Sequence, residues 1–131
     1  MKDPSCKISR WQLLKAQLNN LTPPLFVKAV QQVEPKHILI DVRTAKEFAT
    51  GHLQAAVNID YLAIDFWEKI ELLPRDVVCY IYCQSGRRST RACTLMRNGG
   101  FASDQLYNLD GGLRDWEASH PNLLNAVLTS E

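Results

Sequence analysis

Two short apolar runs restrict the fold of this chain more than any other feature of its sequence. HILIDV at 37–42 and VVCYIY at 77–82 are largely apolar, with no alternation of apolar and polar residues. Strands that are buried on both faces have this pattern, which is typical of a parallel sheet covered by helices. AAVNI at 55–59 and QLYNL at 105–109 predict two further strands.

Helical patterns stand between these runs. Two capping boxes, Ser9 with Gln12 and Thr44 with Glu47, mark helix starts. We predict helices at 9–19, 23–34, 44–51, 61–73 and 87–98, and a last helix that opens at 111–112 and contains Trp116. Their predicted inward faces include Leu25, Val33, Leu62 and Leu95. Because helices and strands alternate, the sequence predicts an α/β fold with right-handed crossovers.

Composition excludes several classes of protein. A chain of 131 residues with 46% hydrophobic residues fits one compact domain, and the net charge of +1 argues against a nucleic-acid or membrane partner. The four cysteines contain no C-x-x-C pair and the histidines are scattered, so we expect no metal site. We interpret Cys79, inside the third strand, as an inert core thiol. With no signal-peptide pattern, a cytoplasmic location is the expectation.

Three polar segments are predicted to meet at one edge of the sheet. In a parallel sheet the ligand crevice lies at the carboxyl ends of the strands. Asp41 and Arg43 follow the first strand, the loop after Cys83 follows the third, and 110–112 follows the fourth. This convergence predicts a functional site at that edge.

Cys83 is the candidate catalytic residue of this site. It stands where a strand becomes a helix, and the turn 84–89 reads QSGRRS. Such a turn directs backbone N–H groups inward at the positive end of a helix dipole, which favours a thiolate. Gly86 permits a positive φ, and Arg87 and Arg88 lie inside the turn, which indicates a site for a small anion. The predicted binding residues are Gln84, Ser85, Gly86, Arg87, Arg88 and Ser89.

Other chemically active residues have simpler interpretations. We interpret Asp41 and Arg43 as a charge pair that pins neighbouring loops. His52 is interpreted as a hydrogen-bonding loop residue rather than a proton shuttle, and Trp116 as a core anchor. Cys93 is interpreted as a packed helix residue, with a resolving thiol as the alternative.

Three motifs in this order resemble those of the rhodanese-like sulfurtransferases, over about residues 37–120. DVRTAKEFATGHLQAAVNI at 41–59 is similar to the family's first signature. CQSGRRS at 83–89 is similar to its active loop C-x-x-G-x-R-S/T, and LDGGLRDW at 109–116 to its G-G-x-x-x-W.

This resemblance implies a single rhodanese-like domain over 1–131, with a helical N-terminal part at 1–36. The implied three-layer fold has a mostly parallel five-stranded sheet flanked by helices. Cys83 would form a persulfide and pass sulfur from thiosulfate or a persulfide donor to cyanide, a thiol or a protein acceptor, without a cofactor. The place of Arg88 before Ser89 matches the family's arginine.

The chain departs from the family pattern at three places. Ala55 stands where members commonly have glycine, and Asp60 where they have proline. Two predicted helices precede residue 37, where single-domain members usually have a short strand and one helix. We predict the fifth strand around 6–8.

Two other functions are alternatives for a chain of this fold. Phosphatases of the same fold use C-x5-R, which would put an arginine at 89, where this chain has serine; Arg88 comes one residue too early. The shorter loop argues against a phosphatase or an arsenate reductase. A non-enzymatic docking or sensing module would typically lack the cysteine, and Cys83 is present.

Overall fold

The structure is a computed structural model that describes residues 8–130. Its helices are α1 (Arg10–Lys15), α2 (Pro23–Val30), α3 (Ala45–Thr50), α4 (Phe66–Glu71), α5 (Arg87–Asn98), α6 (Gly112–Ser119) and α7 (Pro121–Val127). Its strands are β1 (Asn19–Leu21), β2 (His37–Asp41), β3 (His52–Leu53), β4 (Val57–Asn58), β5 (Val78–Tyr82), β6 (Leu106–Leu109) and β7 (Leu128–Thr129).

Five strands form one parallel sheet in the order β1-β6-β5-β2-β4. In the register of its central strands, Asp41 at the end of β2 lies opposite Tyr82 at the end of β5. On the other side of β5, Ile81 lies opposite Asn108 of β6. The carboxyl ends of the three strands therefore reach one edge together. The predicted α/β fold with a five-stranded sheet is confirmed.

Helices cover both faces of this sheet. Cys79, Ile81 and Cys83 pack into the apolar layer beneath α4 and α5, together with Ile70, Ala92, Cys93 and Met96. Tyr80 and Tyr82 point the other way, into the layer beneath α2, α6 and α7 with Phe26, Leu113, Trp116 and Leu124. Because successive side chains of β5 enter opposite layers, the whole strand must be apolar, as its sequence is.

Both predicted capping boxes are present. The backbone N–H of Gln12 donates to the Ser9 side chain, and the Gln12 side chain accepts from the Ser9 N–H. Thr44 and Glu47 make the same exchange at the start of α3. Each box satisfies N–H groups that a helix start leaves without partners.

The fifth strand of the sheet lies at Asn19–Leu21, whereas the predicted position around 6–8 includes one described residue, Ile8, which is not in a strand. Cys6 and Lys7 lie outside the described residues. The first helix ends at Lys15, earlier than expected, because Asn20 Nδ2 donates to the Lys15 carbonyl 2.9 Å away. The Asn20 Oδ1 then accepts from Asn108 Nδ2 of the neighbouring β6 at 3.0 Å. A strand held by such long-range polar contacts has no local pattern.

Several helices are shorter than predicted, and several residues that were predicted to face inward are exposed. α2 ends at Val30 and α4 begins at Phe66. Asp60 Oδ1 accepts from the Leu62 N–H at 2.8 Å, which makes a turn where a helix was expected. The predicted inward residues Leu25, Val33, Leu62 and Leu95 are exposed.

The C-terminal segment forms structure that its sequence did not predict. α7 leads into β7, which pairs antiparallel with β3 and places Leu128 opposite Leu53. Between β3 and β4, Ala55 has a φ of +68°, in the left-handed region that favours glycine. The glycine common at this position in the family therefore corresponds to a real backbone requirement. Within residues 8–130, none of the helices is both long and apolar enough to cross a membrane.

Candidate active site

Cys83 follows β5 directly and begins the loop that leads into α5. Its side chain is fully buried, and its Sγ accepts hydrogen bonds from the N–H of Gly86 at 3.0 Å and of Ser89 at 3.3 Å. The Ser89 hydroxyl lies 3.5 Å from the same sulfur. The predicted turn with inward N–H groups is thus present around Cys83.

The sulfur occupies the position of a helix cap. At a helix start four N–H groups have no intrahelical acceptor, and for α5 these are the groups of 86–89. Gly86 and Ser89 give theirs to Cys83 Sγ, whereas the N–H of Arg87 lies 3.5 Å from Ser85 Oγ. Because such N–H groups form the positive end of the helix dipole, this environment stabilises negative charge on the sulfur.

Gly86 gives the loop its shape. Its φ of +91° is left-handed, and its carbonyl accepts from the hydroxyl groups of Ser89 at 3.2 Å and Thr90 at 2.6 Å. A Cβ on Gly86 would meet the Gly111 backbone at 3.4 Å. The conformation of the backbone, more than lack of space, therefore requires glycine here. Thr90 was missed from the sequence, where it looked like an ordinary helical residue.

The turn at 111–112 supports the Cys83 loop from behind. The N–H of Leu113 donates to the Cys83 carbonyl at 3.0 Å, and the N–H of Arg114 donates to the Gln84 carbonyl at 2.8 Å. A Cβ on Gly112 would lie 2.6 Å from the Gln84 carbonyl oxygen, so no larger residue fits without a shift. Glycine at 112 therefore allows the backbone of this turn to lie close to the backbone of the Cys83 loop.

Asp41 and Arg43 form the predicted loop-pinning pair, buried beside the site. Arg43 Nη2 lies 2.8 Å from Asp41 Oδ2 and donates to the Gly51 carbonyl at 2.6 Å. Its Nη1 reaches Gln84 Oε1 at 3.5 Å, which links the pair to the active loop. Burial acts to lower the pKa of Arg43, but the hydrogen bond and charge of Asp41 outweigh it and raise this pKa. The predicted charge pair is therefore present and contacts both neighbouring loops.

The two arginines of the loop have different surroundings. Arg88 makes two contacts with the Glu47 carboxylate, at 2.7 and 3.0 Å. Arg87 extends the other way and places its guanidinium over the ring of Trp11, 5.1 Å from the centroid. The pKa of Arg88 is raised by the hydrogen bond to Glu47, against the effect of burial, and the charges of Glu47 and Cys83 add to the increase. The charge of Cys83 therefore contributes to the environment of Arg88.

Ser85 lies at the outer side of this loop and is partly exposed, as is Gln84. The six predicted binding residues, Gln84, Ser85, Gly86, Arg87, Arg88 and Ser89, therefore differ in position. The backbones of Gly86 and Ser89 contact the sulfur, Gln84 is held from two sides, and Arg87 leans away toward α1. Trp11, which contacts Arg87, had no sequence pattern that pointed to the site.

Three other predicted residues lie in the protein interior. His52 is buried, stacks on Phe48 and shares a hydrogen bond with the Phe48 carbonyl through Nδ1 at 2.9 Å. Trp116 is fully buried in the core, as predicted. Cys93 is buried in α5, and its burial, followed by the charges of Cys79 and Cys83, raises its thiol pKa. A neutral, enclosed thiol fits a packing role better than a resolving one.

Burial also raises the pKa of Cys79 to about 11, consistent with an inert core thiol. Among residues 8–130, no cluster of three or more histidine, cysteine, aspartate or glutamate side chains could hold a metal ion.

Comparison with known proteins agrees with this geometry. A family model described as the rhodanese-like domain matches residues 23–119. The thiosulfate sulfurtransferase GlpE of Pseudomonas savastanoi is 34% identical over 102 residues, which cover 76% of this chain and 89% of GlpE. The uncharacterized protein YqhL of Bacillus subtilis is 37% identical over 78 residues, but the match spans only 60% of this chain and 59% of YqhL.

A solved structure shares the fold. The rhodanese-related protein from Thermoplasma volcanium superposes with a TM-score of 0.68 at 21% sequence identity, and the match covers 86% of this chain and 99% of that protein. The family match spans β2, the Cys83 loop and the supporting glycine turn in one continuous segment. From its motifs, its sheet and this match, the chain belongs to the rhodanese-like domain family.

Proposed function

We propose that this protein is a sulfurtransferase that carries sulfane sulfur as a persulfide on Cys83. The observation that carries the proposal is a pair of hydrogen bonds to the sulfur. The backbone N–H groups of Gly86 and Ser89 donate to Cys83 Sγ at 3.0 and 3.3 Å. Membership of the rhodanese-like family and the likeness to a relative named thiosulfate sulfurtransferase support sulfur transfer as the general activity. Thiosulfate, or a persulfide, is the proposed donor.

In the first half-reaction the Cys83 thiolate attacks the outer sulfur of thiosulfate. The S–S bond of thiosulfate breaks, and sulfite leaves with the bonding electron pair. The new S–S bond leaves a persulfide on Cys83, whose terminal sulfur carries the negative charge. N–H groups at the start of α5 stabilise this charge, and the Arg88 cation beside the loop attracts the anionic donor.

In the second half-reaction a nucleophile attacks the terminal sulfur of the persulfide. Cyanide takes this sulfur as thiocyanate, while the electron pair of the broken S–S bond returns to Cys83 as thiolate. A thiolate acceptor reacts in the same way and becomes a persulfide itself. The enzyme returns to its starting state without a cofactor or an external reductant.

The size of the loop favours sulfur over phosphate. The chain from Cys83 to Arg88 is one residue shorter than the C-x5-R loop of a phosphatase. A small loop with N–H donors suits a single terminal sulfur atom.

Intact-mass analysis after incubation with thiosulfate tests this function. We expect one added sulfur atom per chain, which cyanide removes with release of thiocyanate. Cys83→Ser should not form the adduct, whereas Cys93→Ala, which removes a buried thiol of the same core layer, should form it normally. Lack of an adduct on the wild type, or an undiminished adduct in Cys83→Ser, would contradict the proposal. Hydrolysis of a generic aryl phosphate that depends on Cys83 would support a phosphatase instead.

A further inference from the structure

A second concave surface lies beside the active loop, between α1 and α5. This groove has a volume of about 320 Å³. Its lining includes Trp11, Leu14, Tyr61 and Leu95, which we call the apolar floor, together with Thr94. The exposed Arg10 and Arg91 complete the lining, and we call them the rim. α1 lies before residue 23, where the family match begins, so three of the seven lining residues belong to a part of the chain outside that match.

Among the described residues, 8–130, no ion pair compensates the positive charge of this groove. Neither α1, RWQLLK, nor α5, RRSTRACTLMRN, contains an acidic residue. Lys15 pairs with Asp110 and Arg88 with Glu47, but within residues 8–130 no carboxylate pairs with Arg10, Arg87 or Arg91. The aspartate next to Tyr61 is engaged with the backbone of its own turn. The groove therefore combines an apolar floor with a positive rim.

The groove is physically connected to the Cys83 loop. Arg87 directly follows Gly86, whose N–H contacts Cys83 Sγ, and the Arg87 guanidinium lies over Trp11 on the groove floor. Arg91 stands one helical turn further along α5, about 6 Å from Arg87 along the helix axis. A ligand in the groove therefore lies next to the mouth of the active loop.

We propose that this groove docks an acidic amphipathic segment of a protein thiol that accepts sulfur from Cys83. The apolar side chains of the segment would cover Trp11, Leu14 and Leu95, and its carboxylates would pair with Arg10 and Arg91. This inference rests on the proposed function, because docking beside Cys83 serves an acceptor only if Cys83 carries the sulfur.

The composition of the groove favours a protein over a nucleic acid. Nucleic acids bind mainly through many phosphate contacts with lysine and arginine, and this chain has a net charge of only +1. Aliphatic side chains, Leu14 and Leu95, form part of the floor, and they match the apolar face of an amphipathic helix. Rim charges around an apolar centre are the usual arrangement of a protein interface.

The transfer step at this site is balanced in atoms and electrons. The thiolate of the docked segment attacks the terminal sulfur of the Cys83 persulfide. The S–S bond to Cys83 breaks, its electron pair returns to Cys83 as thiolate, and the segment leaves as a persulfide. Neither an oxidant nor a reductant is consumed.

The test uses two synthetic helical peptides with identical leucine positions and a single terminal cysteine. One carries glutamate on its polar positions and the other carries lysine. Binding of fluorescently labelled, cysteine-blocked peptide is measured by anisotropy, and sulfur transfer to the free-thiol peptide is measured after loading Cys83 with thiosulfate. We expect the acidic peptide to bind and react at least about tenfold better than the basic one at low salt, with the difference shrinking at high salt.

Charge reversal on the rim locates the effect. Arg10→Glu combined with Arg91→Glu should lower binding of, and transfer to, the acidic peptide by about tenfold or more while leaving transfer to cyanide unchanged. The matched control reverses two exposed lysines, Lys28 and Lys36, which lie outside the groove, and should behave as the wild type. Leu95→Gln should weaken peptide binding without changing the rate of sulfur transfer to cyanide.

The outcomes separate this inference from the proposed function. Equal binding of both peptides, or an acidic preference that survives the rim reversal, overturns the docking site. Tighter groove-dependent binding of a single-stranded RNA oligonucleotide than of the acidic peptide also overturns it. If the wild type transfers no sulfur to cyanide but still shows rim-dependent peptide binding, the proposed sulfurtransferase activity is contradicted and the proposed docking site is not.

Discussion

Glu47 and Arg88 form a two-point ion pair, with N–O distances of 2.7 and 3.0 Å, between residues 41 positions apart in the chain. Glu47 belongs to α3, which follows β2, and Arg88 belongs to the first turn of α5, which follows β5. The Glu47 carboxylate also accepts from the N–H of Thr44 at 3.2 Å. One side chain therefore starts a helix and ties the ends of two adjacent strands beside Cys83.

Replacement of Glu47 by glutamine separates these two roles. Glutamine keeps an oxygen that can complete the capping box with Thr44, but it removes the charge that faces Arg88. Both partners are partly exposed, so we expect the free energy of unfolding near pH 7 to fall by no more than about 1 kcal/mol. Urea unfolding measures the change. Glu71→Gln, which removes a more exposed pair with Arg75, is the control and should cost less.

The contribution of Glu47 should depend on pH in one direction. The hydrogen bond from Arg88, more than any other effect, lowers the pKa of Glu47 from 4.5 to about 2. Below pH 4.5 the unfolded chain therefore binds a proton that the folded protein does not, and stability falls. Above pH 4.5 the wild type should exceed Glu47→Gln in unfolding free energy by its maximum amount. This difference should shrink toward zero as the pH falls toward 2. A difference that stays constant over this window would contradict the assignment.

Gly86→Ala should remove sulfur loading through the backbone. The left-handed φ of +91° costs alanine about 1–2 kcal/mol, and relief of this strain would turn the Gly86 N–H away from Cys83 Sγ. Gly100→Ala is a matched control, because Gly100 has a similar φ of +105° and open space around it. We expect both variants to lose similar stability in urea, but only Gly86→Ala to lose the thiosulfate adduct seen by mass. Equal adduct formation in the two variants would exclude a role for the Gly86 N–H.

Arg88→Gln and Arg87→Gln should affect different reactions. The charge of Cys83 contributes to the raised pKa of Arg88, whereas the Arg87 guanidinium lies over the Trp11 ring. With thiosulfate and cyanide as substrates, we expect Arg88→Gln to lower kcat/KM for thiosulfate by about tenfold, the loss of one charge-assisted contact. Arg87→Gln should change this value less than about threefold, within the range of an exposed charge. The reverse order would place Arg87, not Arg88, at the donor.

The candidate site was predictable because the residues that form it are contiguous in the sequence. Cys83, the turn glycine at 86 and the two following arginines are contiguous, and a buried strand before them fixes their position at the sheet edge. The capping box at Thr44 is equally local. The side chain that each arginine contacts could not be predicted from the sequence, because Glu47 and Trp11 belong to distant parts of the chain.

The N-terminal strand shows the limit of local patterns. Asn19–Leu21 has neither alternation nor an apolar run, and its pairing with β6 spans more than eighty residues. Its polar contact between Asn20 and Asn108 becomes visible only when the sheet is assembled. β7 is another such case, because its two residues form a strand only against β3. Local sequence patterns therefore predict neither strand.

Ala55→Gly should stabilise the protein without affecting sulfur transfer. Ala55 is an exposed residue with a φ of +68°, and this strain costs alanine about 1–2 kcal/mol, partly offset by the larger backbone entropy of glycine in the unfolded chain. We therefore expect a net gain of about 0.5 kcal/mol in unfolding free energy, measured in urea. Ala102→Gly is the control, since Ala102 is also exposed but has an ordinary φ of −67°, and this change should destabilise. A loss of stability in Ala55→Gly as large as that in Ala102→Gly would show that the loop does not require a left-handed residue at 55.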